Sequence, residues 1–238
     1  MKRFTSLFAF LIVFFSASAQ VPERFYENGK VGYKNGDGSV LVSAEYDAGS
    51  IFQEGFALVV KNNKRGFINS QGVIVIPCEY EDASLFNNGL AKVMKYSKYG
   101  FIDTKGNTAI PFKYDFADDF IGSLARVQVN GKFGFINTSD SLVIPANYEM
   151  ANNFSDGLAS VRINGKWGFI DVNGKTIIPF EYDMCFFFLN GTGKVRKGDE
   201  EFFIDKKNKF VKAEVKKEEN EEGDTKGTPG ARDKKDKK

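Results

Sequence analysis

Three ring-bearing residues stand 34 positions apart: Tyr99, Phe133 and Trp167. Rings at equal spacing on equivalent strands can form a row that stacks sugar rings or a partner's apolar face. Arg65, one step earlier, would extend that row with a polar donor. The competing reading packs the same rings against tyrosines such as Tyr182 inside the core, since aromatic columns mostly bury themselves. A second column is acidic and comprises Asp47, Glu81, Asp115, Glu149 and Asp183. Paired carboxylates can hydrolyse glycosides without an imidazole. A residue present in every unit serves every unit's turn, however, whereas a catalytic site is normally singular. No catalytic residue is therefore assigned.

Composition excludes more. The 238 residues include 25 Phe and no His. Without histidine there is no Ser-His or Cys-His catalysis, no imidazole metal site and no neutral-pH proton shuttle. Glycines fall as turn punctuation rather than as a phosphate-cradling G-x-G-x-x-G loop. The acidic-looking turn Asn35-Gly36-Asp37-Gly38 has counterparts such as Thr104-Lys105-Gly106, with too few carboxylates for a hard cation. No metal and no cofactor is expected. The net charge of +2 gives no basic excess for nucleic acid.

Both ends differ from the middle. Lys2 and Arg3 precede the apolar run Leu7 to Phe15, and Ala17-Ser18-Ala19 supplies small residues for cleavage. Residues 1–19 thus read as a secretory signal, too short for a stable membrane span. The expected location is periplasmic or extracellular. Residues 214–238 carry eight basic and eight acidic side chains and no aromatic, Leu, Ile or Met. They read as a disordered charged tail, unable to bury enough apolar surface to offset ordering.

Residues 20–213 repeat with a period of 34. A Gly-aromatic pair recurs at Gly32-Tyr33, Gly66-Phe67, Gly100-Phe101, Gly134-Phe135 and Gly168-Phe169, with Phe202-Phe203 as a degenerate sixth copy. Proline recurs from Pro77 to Pro179, tyrosine from Tyr46 to Tyr182, and phenylalanine from Phe52 to Phe188. Constant spacing across so many columns defines a repeat array. In the fifth copy, strand A is expected over 158–163, strand B over 166–171 and strand C over 175–179. Asn164-Gly165 suits a type I′ turn between A and B. Strand C, apolar in two adjacent columns, is expected to be covered on both faces. An irregular connector would then lead to the next unit. Six units result, and the divergent outer two are expected to act as caps.

The run Gly165-Lys166-Trp167-Gly168-Phe169-Ile170-Asp171, followed by Asn173-Gly174-Lys175, Ile178-Pro179 and Tyr182-Asp183, resembles the WG (KWG) repeat of bacterial proteins. The resemblance spans about residues 22–213. It implies an all-β repeat protein, often exported, without general enzymatic activity, and binding other proteins or surface components. The Trp position holds Val31, Arg65, Tyr99, Phe133, Trp167 and Glu201, so a shared ring-based site would be kept only in copies three to five.

The expected architecture is all-β: six tandem three-stranded antiparallel meanders in an open twisted array, with a closed propeller-like toroid as the alternative. Cys78 and Cys185 occupy buried columns about three units apart and are expected to be free thiols, with a disulfide conceivable only in a closed ring. Function is read as a non-enzymatic scaffold binding a protein or cell-envelope partner. A glycan-binding module and a hydrolase are the two alternatives. The scaffold reading expects unit-to-unit variation to cluster on one exposed surface. The glycan reading expects Tyr99, Phe133 and Trp167 to be exposed and coplanar.

Overall fold

The computed structural model describes residues 21–211, so the expected signal and charged tail lie outside the described residues. Every regular element among them is a β-strand. Six antiparallel sheets follow one another in chain order, the first with three strands and each later one with four. The fifth sheet is typical. Leu158–Ile163 pairs with Lys166–Asp171, which pairs with Thr176–Tyr182. Asn164 and Gly165 have φ of 49° and 76°, the two positive values a type I′ hairpin turn demands.

The connector contributes a short fourth strand to the three expected. Met150–Ala151, in the connector, pairs with Arg162 and Val161 at the inner edge of the sheet. Two residues carry no periodicity that a sequence pattern can register. Strand C also runs on to Tyr182 rather than stopping at Pro179. Trp167 pairs with Tyr182 and Phe169 with Ile178, so one intervening residue opposes three across a bulge. Proline is tolerated there because a bulge relieves the ladder of its missing N–H.

That bulge explains the repeated glycine. A Cβ on Gly168 would lie 2.5 Å from the Ile178 carbonyl oxygen, and one on Gly66, Gly100 or Gly134 would meet Ile76, Ile110 or Ile144 within 2.6 Å. Only glycine lets the bulged strand approach so closely.

The core is divided. Five hydrophobic clusters each span one boundary between neighbouring sheets. The aromatic ring after each Gly is covered by the connector phenylalanine of the following unit. Tyr33 meets Phe52 at 5.3 Å, Phe67 meets Phe86 at 4.7 Å, Phe101 meets Phe120 at 4.9 Å, Phe135 meets Phe154 at 4.8 Å, and Phe169 meets Phe188 at 4.7 Å. Strand C is covered fully on one face and unevenly on the other, where Val75 and Ile177 are half-buried against the core. Ile76, Ile110, Ile144 and Ile178 are buried, whereas Val143 in the adjacent column is 39% exposed. Strand C pairs with strand B of its own sheet and packs against strand A of the next.

Polar contacts follow the same nearest-neighbour rule. The Tyr114 hydroxyl donates to Asp140 at 2.5 Å and the Tyr182 hydroxyl to Asn208 at 2.6 Å, each reaching the next sheet. Gln53 and Ser155 donate to the carbonyls of Phe86 and Phe188, each at 2.7 Å. Among the described residues no ladder or core cluster joins the first sheet to the sixth, and no sheet closes on itself. The array is open.

Candidate functional site

The acidic column is occupied by its own fold. Asp47 accepts from Lys30 Nζ at 2.5 Å and from the Asn62 N–H at 2.8 Å, in the hairpin turn of its following strands. Asp183 accepts from Lys166 Nζ at 2.6 Å and from the Gly198 N–H at 2.7 Å. Asp115 takes Lys98 and the Asn130 N–H in the same way. Glu81 holds the Tyr96 and Ser97 N–H groups, and Glu149 the Gly165 N–H. Hydrogen bonds from the lysines push Asp47, Asp115 and Asp183 below the usual carboxylate range. A general acid would need the opposite shift. Among the described residues, every carboxylate moved from its ordinary value is moved down. No cluster of three or more acidic or Cys side chains able to hold a metal occurs there either.

The ring row is only partly assembled. Arg65, Tyr99, Phe133 and Trp167 each pair across the ladder with the tyrosine of their own unit: Tyr80, Tyr114, Tyr148 and Tyr182. Trp167 is buried, at 8% exposure, among Leu158, Tyr182 and Cys185. Arg65, Tyr99 and Phe133 are half-buried. Arg65 is spent on backbone carbonyls, donating to Glu81 O at 2.8 Å and Asn63 O at 3.0 Å. Tyr99 and Phe133 are joined only through Phe116, whose ring stands at 65° to Tyr99 and 71° to Phe133, with centroids 6.2 and 6.1 Å away. The Arg126 guanidinium covers Phe116 at 5.3 Å and Phe133 at 5.4 Å, and pairs with Asp118 at 2.7 Å. The exposed, coplanar row required by a sugar platform is not formed. The rings interlock edge to face because the sheets approach closely enough for a third ring to enter between them.

Phe116 and Arg126 are the residues sequence reasoning passed over. Phe116 occupies a column otherwise filled by Ala48, Asp82, Met150 and Met184, so a column-by-column comparison marks it as the one ring there.

The variable positions do share a place. In each sheet they form a cross-strand row: Ala48, Val60 and Arg65; Asp82, Met94 and Tyr99; Phe116, Gln128 and Phe133; Met150, Arg162 and Trp167. Of these twelve residues only Trp167 is buried, and Ala48 and Met150 are exposed. Beside the last row, a groove of about 540 Å³ is lined by Met150, Asn153, Phe154, Trp167, Met184 and Phe187 among others. Both cysteines are free. Burial pushes the Cys185 thiol up to about 12, which keeps it protonated and unreactive.

An open tandem of small antiparallel sheets, each bound only to its neighbours, defines a β-repeat protein. Five consecutive matches to the family described as WG containing repeat cover residues 32–64, 66–99, 99–133, 133–167 and 167–200. The chain belongs to that family. No curated protein matches it in sequence. Among solved structures it is similar to a eukaryotic initiation factor, with TM-score 0.50, 10% identity, and coverage of 80% of this chain and 62% of that one. It is also similar to PorZ, a bacterial surface component of the type-IX secretion system of Porphyromonas gingivalis, with TM-score 0.36, 11% identity and coverage of 79% and 30%. For Hsv2p of Kluyveromyces lactis the TM-score is 0.45 at 8% identity, with coverage of 77% and 70%. The chain thus spans less than two thirds of the first two, and likeness at such identity concerns the fold alone.

Proposed function

We propose that this protein is an exported, non-enzymatic repeat scaffold that binds a protein or other cell-envelope partner through its cross-strand rows of variable residues. The supporting observation is the division of labour between columns. Residues that repeat are consumed internally: glycines by the bulge, acids by the turns, phenylalanines by the sheet boundaries. Residues that vary from unit to unit collect in the half-exposed rows ending at Arg65, Tyr99, Phe133 and Trp167. Freedom to vary while facing solvent is what a recognition surface requires and a packing column forbids. The non-enzymatic reading draws support from the missing histidine and from carboxylates held firmly ionised.

The experiment is capture from cell-envelope extract with the immobilised protein, repeated with Asp82→Lys and Met150→Glu. Both side chains lie in the rows and neither is buried, and Asp82 gives up only the Tyr99 hydroxyl that donates to it at 3.3 Å, so the fold should be retained. The scaffold reading expects a discrete partner captured by the native protein and lost with these variants. A control substitution, Val40→Glu on the first sheet, should retain it. Capture that no row variant alters overturns the assignment of this surface.

A further inference from the structure

Among the described residues, nothing caps the outer face of the sixth sheet. In the five preceding units the ring after the Gly position is covered by a phenylalanine 19 positions later, and its exposure is 1% or less. Phe203 holds that place in the sixth unit and is 37% exposed. The 27 residues after Val211 contain no aromatic, Leu, Ile or Met that could cover it.

The surroundings of Phe203 have changed in the same sense. Where Asn152 and Asn153 stand in the fifth unit, the sixth has Phe186 and Phe187. Where Ser155 reaches forward to the next sheet, it has Leu189. The strand Met184–Leu189 bulges between Cys185 and Phe188, which turns Phe187 outward to 59% exposure, with Leu189 at 57%. Phe186, Phe187, Leu189, Lys194 and Phe203 line one groove of about 560 Å³. An exposed apolar patch of this kind marks an interaction site.

We infer that this groove is the interface of a two-fold homodimer, in which Phe187 of each copy enters the other's groove and covers Phe203. Two observations select a second copy in this orientation. First, the sequence offers head-to-tail stacking no covering ring, since one repeat before Phe52 its column holds Ser18, within the expected signal. Second, the sixth face is self-complementary. It carries both the uncovered ring and a projecting phenylalanine. Its rim carries both signs of charge, with Lys194 and Glu201 ion-paired at 2.5 Å. An isologous contact needs exactly such a patch that offers and receives the same groups. The five internal boundaries supply the template, a phenylalanine tilted or edge-on against the ring at 4.7 to 5.3 Å.

Sedimentation equilibrium of the purified protein across a concentration series tests this. The expected result is a reversible monomer–dimer equilibrium. Phe187→Ser and Leu189→Ser touch only exposed side chains, so each should keep the native circular dichroism and raise the dissociation constant roughly 30-fold or more. Val40→Glu on the first sheet should leave the equilibrium unchanged. A monomer at all concentrations, an open-ended series of oligomers, or a dimer sensitive to Val40→Glu but not to Phe187→Ser each overturns the inference.

Discussion

Phe169 and Phe188 meet edge to face at 84° across the last sheet boundary, with ring centroids 4.7 Å apart and neither ring exposed. Phe188 thus belongs to one sheet by sequence and to its predecessor's core by packing. Phe188→Ala should cost about 3–5 kcal/mol, because the cavity opens inside the buried cluster that joins the two sheets. Phe210→Ala, at a ring 68% exposed, should cost under about 0.5 kcal/mol. Chemical denaturation of the two variants checks this. Equal losses would refute the boundary role.

Gly168→Ala should be severely destabilising although its backbone is not left-handed, because the added methyl collides with the Ile178 carbonyl. Gly131→Ala is the informative contrast. There φ is 75° and nothing lies within 4 Å of the added carbon, so only conformational strain of about 1–2 kcal/mol applies. Thermal melts should rank Gly168→Ala below Gly131→Ala, and the reverse order would sink the close-approach explanation.

The third unit turns through Tyr96 and Ser97, with φ of 56° and 57°, where the first, fourth and fifth use Asn-Gly. Both N–H groups are held by the Glu81 carboxylate at 3.1 and 3.0 Å, which keeps the turn closed despite unsuitable residues. Replacing the pair by Asn and Gly should raise stability by about 1–2 kcal/mol. No rise in melting temperature would show that Tyr96 contributes something beyond its backbone.

The turns show how much of this fold the sequence declares. Strands A and B of the fifth unit fall at the residues expected, because Asn164-Gly165 and the alternation fix both ends and face. The connector strands are not placed by the repeat pattern alone, although Glu54-Gly55, Asn88-Gly89, Asp156-Gly157 and Asn190-Gly191 carry the same positive-φ signature. Those dipeptides close the connector back onto strand A, and reading them would have disclosed the extra pairing. The candidate rings fall in one column, but Tyr99 is met by Phe116 of the next unit and Trp167 shares its cluster with Cys185 of the next, contacts a single-unit pattern does not contain.

Asp183 has its pKa held below the ordinary 3.8, first by the Lys166 ammonium and then by the Gly198 N–H. A carboxylate depressed in the fold stabilises it above the unfolded pKa, and that contribution fades as pH falls through the folded value. Asp183→Asn should therefore melt below the native protein at pH 7, with the gap closing below about pH 4. A gap that stays constant through the acid range would mean that the side chain's shape, not its charge, holds the turn.

Trp167 is the only tryptophan, so its fluorescence reports on one place. At 8% exposure it should emit at short wavelength and resist iodide quenching, with unfolding exposing it fully. Quenching as efficient as that of free tryptophan would restore an accessible ring at this position and, with it, the case for a stacking ligand.

The nearest-neighbour wiring has a genetic corollary. Because every boundary uses the same ring-on-ring contact, excising one whole unit brings together surfaces that already match: without the fourth, Phe101 would present to Phe154 the partner it has in Phe135. Recombination between like segments can therefore lengthen or shorten the array in steps of one unit without repairing a distant contact. Evolution can tune the reach of such a protein separately from the side chains it displays.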